Sequence, residues 1–231
     1  MTTWWKRAAM LAGLVLVLAG CTQEGFNPIA RAGADQLIAR VRPAPDAPAT
    51  PPAVLTRQDI EALGVATIRL RLVEGGRGSL FYGAAQNADV TTYVTQLRES
   101  VGLRGSQVVS TRGLGTDLLR ATSSPDDPLA RPVPPGQWPA RVERTYELPA
   151  HAPRGRIERY SCTFSYGEVR TIAILTVEHQ GVEVTETCRG PAGEFQNLHF
   201  ADLGSGFVWR SIQWTGPQQG LVDFEVIVPR R

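Results

Sequence analysis

From residue 66 to the end of the chain, apolar and polar side chains alternate in short runs, and a period of two is what a strand with one buried face requires. In the first run Ile68, Leu70 and Leu72 alternate with Thr67, Arg69 and Arg71. Gly75-Gly76 turns the chain into 79–86, and further strands are predicted over 90–96, 100–103 and 107–111, with Arg104-Gly105 between the last two. Residues 117–139 break the rhythm. Pro125, Pro128, Pro132, Pro134 and Pro135 predict a long loop, a kind of segment that in a compact domain is often functional or mobile. A strand resumes over 141–148.

The stretch 162–220 organises the rest. Tyr160, Cys162, Phe164 and Tyr166 share one face of a strand, and 170–178 follows as a second. Gln180-Gly181 reads as the turn into a third over 182–188, where Val182, Val184 and Cys188 point one way and Glu183, Thr185 and Thr187 the other. Runs 195–203 and 207–215 predict a hairpin turning at Gly204-Ser205-Gly206, and Gly216-Pro217 with Gly220 leads into a last strand over 221–228. The pattern as a whole predicts a single all-β domain over 56–231, built as a curled antiparallel sheet, a β-sandwich or an open barrel. One short helical segment precedes it at 56–63, with Thr56 as N-cap, Asp59 in the first turn and Gly64 as the stop.

The N-terminal 20 residues form a different object. Lys6 and Arg7 precede an apolar run over 8–18 that is short for a membrane span. It ends in Leu18-Ala19-Gly20-Cys21, which resembles the lipobox of bacterial lipoproteins, in which the chain is cut before a cysteine that carries lipid. The resemblance implies a covalent lipid on Cys21 and no other cofactor. Several acyl chains, at roughly 0.8 kcal/mol per buried methylene, make such an anchor effectively permanent. Thr22 stands where an Asp would signal retention in the inner membrane, so the outer membrane is expected, with the domain facing the periplasm. Residues 21–55 read as a stem, made of an amphipathic helix within 27–42 and a Pro- and Ala-rich linker over 43–52.

Removing Lys6 and Arg7 takes the 24 basic residues to 22, against 22 acidic ones, so the mature chain is neutral. Nothing in that balance favours nucleic acid, whose phosphates call for a basic field. Every remaining cation is arginine. With Cys21 lipidated, Cys162 and Cys188 are left as a pair in an oxidising compartment, and a disulfide is expected. If 170–178 lay between them as a separate strand of a flat meander, they would be too far apart to bond, so the bridge calls for curvature, a sheet-to-sheet crossing or another strand order. A metal site is not expected, because His151, His179 and His199 are scattered and no Cys-x-x-Cys or His-x-His spacing occurs.

Three further features carry a resemblance: the run Val108-Val109-Ser110-Thr111-Arg112-Gly113-Leu114-Gly115-Thr116-Asp117-Leu118; the paired cysteines; and Phe195-Gln196-Asn197 followed by Ser211-Ile212-Gln213-Trp214-Thr215-Gly216-Pro217. Together they resemble the YjbF family of lipoproteins, which includes the group 4 capsule lipoprotein GfcB. The resemblance covers the chain from about residue 66. It implies a β-rich outer-membrane lipoprotein linked to exopolysaccharide production or export, with envelope polysaccharide-export proteins as partners and the glycan itself as another.

Five residues are candidates for binding. Arg112 and Asp117 bracket Gly113 and Gly115, so the loop either offers backbone N–H groups to a ligand or is a tight bend with the two charges pairing across it; the second reading is preferred. Gln213 and Trp214 point to opposite faces, so one is expected buried and the other exposed. An exposed Trp beside Gln213 and Asn197 would suit a sugar ring, whereas a core Trp capped by a polar network is the plainer reading and is preferred. No nucleophile elbow, phosphate loop or zinc-protease motif occurs, and no catalytic residue is assigned. The expectation is a non-catalytic accessory. Two alternatives stand beside it: a glycan-modifying enzyme using two of Asp126, Asp127, Glu183, Glu186 and Glu194, and a periplasmic carrier or assembly chaperone, for which a deep apolar cavity would speak.

Overall fold

The computed structural model describes residues 56–76, 78–151 and 155–230. The leader, Cys21, the helix expected within 27–42 and the Pro-rich linker lie outside the described residues. A capping box opens α1 (Arg57–Ala62): the Asp59 amide donates to Thr56 Oγ1, and the Thr56 amide donates to the Asp59 carboxylate. After Gly64, whose positive φ of 66° ends the helix, the regular structure is strand apart from one 3₁₀ turn. The strands are β1 (Thr67–Leu72), β2 (Ser79–Asn87), β3 (Val90–Val94), β4 (Ser100–Arg104), β5 (Gln107–Arg112) and β6 (Arg120–Ser123), followed by β7 (Arg141–Leu148), β8 (Arg156–Ile174), β9 (Val177–Gly190), β10 (Gly193–Ala201), β11 (Val208–Trp214) and β12 (Leu221–Val228).

All twelve belong to one antiparallel sheet in the order β5-β4-β3-β2-β1-β12-β11-β10-β9-β8-β7-β6. Two meanders, β1 to β5 and β6 to β12, are therefore joined where the first strand pairs with the last, Ile68 opposite Val226 and Leu70 opposite Phe224. The sheet's two outermost strands, β5 and β6, come together and nearly close a barrel. No ladder joins them. Instead Thr111 N donates to Leu118 O at 3.0 Å, Leu118 N to Thr111 Oγ1 at 2.9 Å, and Ser123 Oγ to Gln107 Oε1 at 3.1 Å. Of the architectures the pattern left open, the structure is thus the nearly closed barrel.

The alternation decides which side chains fill it. Ile68, Leu70, Phe81, Val101, Leu103, Val142, Tyr146, Leu148, Tyr160, Val222 and Phe224 all face inward and are buried. Outward positions of β1, β11 and β12 carry Arg69, Arg71, Arg210, Asp223 and Glu225, linked across strands; Arg71 and Arg210 both reach Asp223, at 2.7 and 2.8 Å. A membrane-spanning barrel presents an apolar band at such positions, so this wall is built to face water or protein.

Three expectations need correcting. The runs 160–166 and 170–178 are not two strands: β8 continues to Ile174 through a register shift between Tyr166 and Val169, and the turn falls at Leu175-Thr176, with Ile174 opposite Val177. Leu175 takes the positive φ, 53°, that usually calls for Gly or Asn. Gly181 does not turn. It lies flat in β9 opposite Arg170, and a Cβ there would sit 2.4 Å from Ala201 O of β10. Close approach of two backbones, not a bend, is the reason for glycine. The tip of this long hairpin is held by a small separate core in which Ile174 packs with Ile60 of α1 and Ile227 of β12, joined by Ile172, Leu175 and Trp209.

The second correction concerns 117–139, which is not simply a loop. It contains β6 and a 3₁₀ turn at Pro135–Gln137, and it drives Asp127, Leu129 and Trp138 into the interior. The indole Nε1 of Trp138 donates to Val133 O at 2.8 Å, and its ring meets Phe164 edge-on at 5.1 Å. The third concerns the cysteines: no intervening strand has to be bridged, because Cys162 on β8 and Cys188 on β9 are direct cross-strand partners with Cα atoms 4.0 Å apart, and they are bonded to each other.

Candidate functional site: a polar chain across the barrel interior

Between apolar layers, inward-facing polar side chains form one connected chain. Arg144 of β7 is at its centre and is fully buried. Its Nε donates to Glu186 Oε1 of β9 at 2.7 Å, while its two terminal nitrogens clamp Asp127 from the 124–140 segment at 2.5 and 3.2 Å. The second oxygen of Glu186 accepts from Asn197 Nδ2 of β10 at 2.7 Å and lies 3.3 Å from His199 Nε2. From His199 Nδ1 the chain continues to Ser211 Oγ of β11 at 2.7 Å, then to Gln213 Nε2 at 2.9 Å. Gln213 ends it on the far wall, donating to Ser106 O at 2.6 Å and accepting from Val108 N at 2.9 Å. The chain therefore runs from the loop between β6 and β7 through four strands to β5.

Its electrostatics follow from burial. For Glu186, burial alone would raise the carboxyl's pKa; the Arg144 guanidinium and the bonds from His199 and Asn197 outweigh that and hold it at about 2. For Arg144 burial works against the charge, and Glu186 and Asp127 more than compensate, raising it above its ordinary value. Burial also pushes the Tyr146 and Tyr160 hydroxyls up. Every member of the chain is thus engaged by another, which is what a buried polar group must achieve to offset its lost hydration.

The five candidate binding residues separate into two places. Asn197, Gln213 and Trp214 come together. Where the β10–β11 ladder ends, Trp214 N donates to Asn197 Oδ1 at 2.8 Å, and the indole stacks on Phe195 with centroids 4.4 Å apart, edge-on to Tyr146. Gln213 is buried and Trp214 half-buried, so neither is fully exposed; this aromatic cluster draws the indole inward, toward the preferred reading of a core Trp beside a polar network. Arg112 and Asp117 lie apart, on the loop that closes the seam, and do not pair across it. Arg112 donates to the carbonyls of Thr111 and Leu118, while Asp117 accepts from the amides of Gly113 at 2.8 Å and Leu114 at 3.2 Å. The backbone N–H groups offered by those residues are therefore occupied from within the loop.

Of the five acids considered for glycoside chemistry, Asp127 and Glu186 are buried on Arg144, Glu183 pairs with Arg170, and Glu194 pairs with Arg189 at 2.6 Å. Asp126 is exposed beside Asp127. The structure does not bring two of them together in an open cleft. Among the described residues, Cys162, Glu186 and Cys188 have metal-like spacing, but the two sulfurs are bonded to each other. In the sequence Arg144 stands in no motif, His199 is one of three scattered histidines, Ser211 belongs only to the family-like run, and Glu186 is one of five candidate acids. A signal was present: Glu186 is in phase with Val182, Val184 and Cys188, and Arg144 with Val142, Tyr146 and Leu148, so each is a charge on a core face.

Fold and interior together define a class: a nearly closed antiparallel barrel with charged outer walls, a cross-strand disulfide and a self-satisfied polar spine. A family model described as group 4 capsule polysaccharide lipoprotein gfcB, YjbF, matches residues 24–227, and the chain belongs to that family. Among solved structures it is similar to the hypothetical lipoprotein YmcC from Escherichia coli (K12), at 19% identity and a TM-score of 0.63, over 90% of this chain and 100% of that one. That likeness extends to the fold. No curated protein matches the chain.

Proposed function

We propose that this chain is an outer-membrane lipoprotein that acts as a non-catalytic accessory in the production or export of a capsule-like polysaccharide. In this reading 1–20 is a removed leader, Cys21 carries the lipid, 21–55 is the tether, and the barrel faces the periplasm, where it meets polysaccharide-export proteins. The observation that carries the proposal is the family match across 24–227. Two features support an accessory role. The interior acids are held by Arg144, and the outer wall of β1, β11 and β12 presents a network of paired arginines and acids, a polar surface suited to contact with a protein or glycan. Direct contact with glycan is proposed at the loop 112–117, where Arg112 and Thr116 face solvent. Asn197, Gln213 and Trp214 act by fixing the barrel.

The experiment is deletion of the gene, with surface polysaccharide quantified after complementation by wild type and by Cys21→Ala. Loss of surface polymer, restored by wild type and not by the unlipidated form, is the expected result. Unchanged polymer in the deletion strain would overturn the assignment.

A further inference from the structure

One end of the barrel holds a cavity of about 320 Å³, which the polar chain touches only where it ends on Ser106. Its volume is at the lower end of the range, roughly 300–1,000 Å³, in which proteins hold small ligands. Its lining changes character with depth. Leu103, Val208, Phe224 and Val226 are nearly inaccessible from outside and form the floor, whereas Gln86, Asp89 and Arg230 stand exposed at the rim.

That gradient selects the chemistry. A sugar seated there would surrender its bonds to water and find as polar partners only the Tyr93 hydroxyl and Ser106, the latter already bonded to Leu129 O and Gln213, so most of its hydroxyls would be left without a partner. A hydrocarbon chain loses nothing there and gains in proportion to the apolar surface it removes from water. At the rim, Asp89 is engaged by Arg104 at 2.8 Å and the Gln86 amide by Ala88 O at 2.8 Å. Arg230 makes one bond among the described residues, to Thr91 Oγ1 at 3.3 Å, from a guanidinium that carries five N–H donors. The unmatched charge at the mouth is therefore positive.

We infer that this cavity binds a single-chain anionic amphiphile, its hydrocarbon tail on the floor formed by Leu103, Val208, Phe224 and Val226 and its phosphate or carboxylate head on Arg230. Of the roles considered for this chain, a carrier is the one such a site serves, and the inference does not depend on any part in polysaccharide production.

The test uses the full chain with Cys21→Ala, so that no acyl anchor of its own competes, and measures binding calorimetrically with three probes below their aggregation limits: dodecyl phosphate, dodecanol and inorganic phosphate. Dodecyl phosphate should bind at one per chain and inorganic phosphate should not bind. Arg230→Ala should weaken dodecyl phosphate about tenfold, the effect of losing one charge-assisted bond, and leave dodecanol unchanged. Leu103→Trp should abolish binding of both alkyl probes; Thr91→Trp, at the half-buried mouth, makes the same test without loading the core. Failure of dodecyl phosphate to bind would overturn the inference, as would undiminished binding to a folded Trp variant. Inorganic phosphate binding as tightly as dodecyl phosphate would reduce the site to an anion site and equally overturn it.

Discussion

The side-chain amide of Gln213 on β11 grips the backbone of β5 around Val108, accepting from Val108 N at 2.9 Å and donating to Ser106 O at 2.6 Å. It does what a neighbouring strand would do. Strand β5 is an outermost strand of the sheet; the amide of Ser106 just before it and its own amides at Val108 and Thr111 are met by Leu129 O, Gln213 Oε1 and Leu118 O respectively. An unpaired strand edge is a template for aggregation, and here it is closed by one side chain from across the barrel and two loop carbonyls.

Replacing Gln213 with Met keeps much of the volume and removes both of these bonds together with the one to Ser211 Oγ. Two buried backbone groups are then unsatisfied, so a loss of about 2–4 kcal/mol is expected, read as a lower urea midpoint at constant m-value. Exchange of the Val108 amide should accelerate in the same variant. Gln196→Met, on the exposed side of β10, serves as the control and should fall within roughly 0.5 kcal/mol of wild type.

Arg144 neutralises two buried carboxylates, so Arg144→Met should cost about 3–5 kcal/mol, more than most core truncations of similar volume. Arg144→Lys should fail to restore stability, because an ammonium cannot hold Asp127 at two points while also bonding Glu186. Chemical denaturation at neutral pH measures both.

The depressed pKa of Glu186 predicts a pH dependence of definite sign. Its ordinary value is 4.5 and its folded value about 2, so its contribution is complete above pH 4.5 and is lost as pH falls toward 2. Wild type should therefore exceed Glu186→Gln by a constant margin near neutrality, and the margin should shrink across that acid window. A margin independent of pH down to 2 would mean that Glu186 is not held ionised by Arg144.

Gly181→Ala should destabilise by about 1–3 kcal/mol, since the new Cβ would lie 2.4 Å from Ala201 O. A turn glycine at this position would have tolerated the change with less loss. Breaking the Cys162–Cys188 bond, which closes a separation of 26 residues, should cost about 3 kcal/mol while leaving the β8–β9 register intact. Midpoints with and without reductant, together with near-ultraviolet dichroism, check both parts.

These residues also show what can be read from sequence. The strands of the first meander follow the alternation closely, because one face is core and the other water; β1 runs from Thr67 to Leu72, as the pattern of Ile68, Leu70 and Leu72 requires. The β8–β9 hairpin was misleading for a local reason: its turn residues, Leu175-Thr176, carry no turn chemistry, while Gly181 imitates it from within a strand. Leu175 is held by tertiary packing beside Ile174, which a local pattern cannot reveal. Likewise, Arg144 and Glu186 could be placed on a core face by phase alone, but their third partner, Asp127, arrives from a proline-rich segment without periodicity. Nothing short of the fold brings it to Arg144.

The proposed accessory role involves no chemistry on the polymer. The most direct measurement is the composition, linkage and location of the polysaccharide made by a strain lacking this gene, compared with its parent. The same repeat unit and linkages, with less polymer at the cell surface, are expected. Normal surface amounts of a polymer with altered substituents or linkages would contradict it and would indicate a glycan-modifying enzyme.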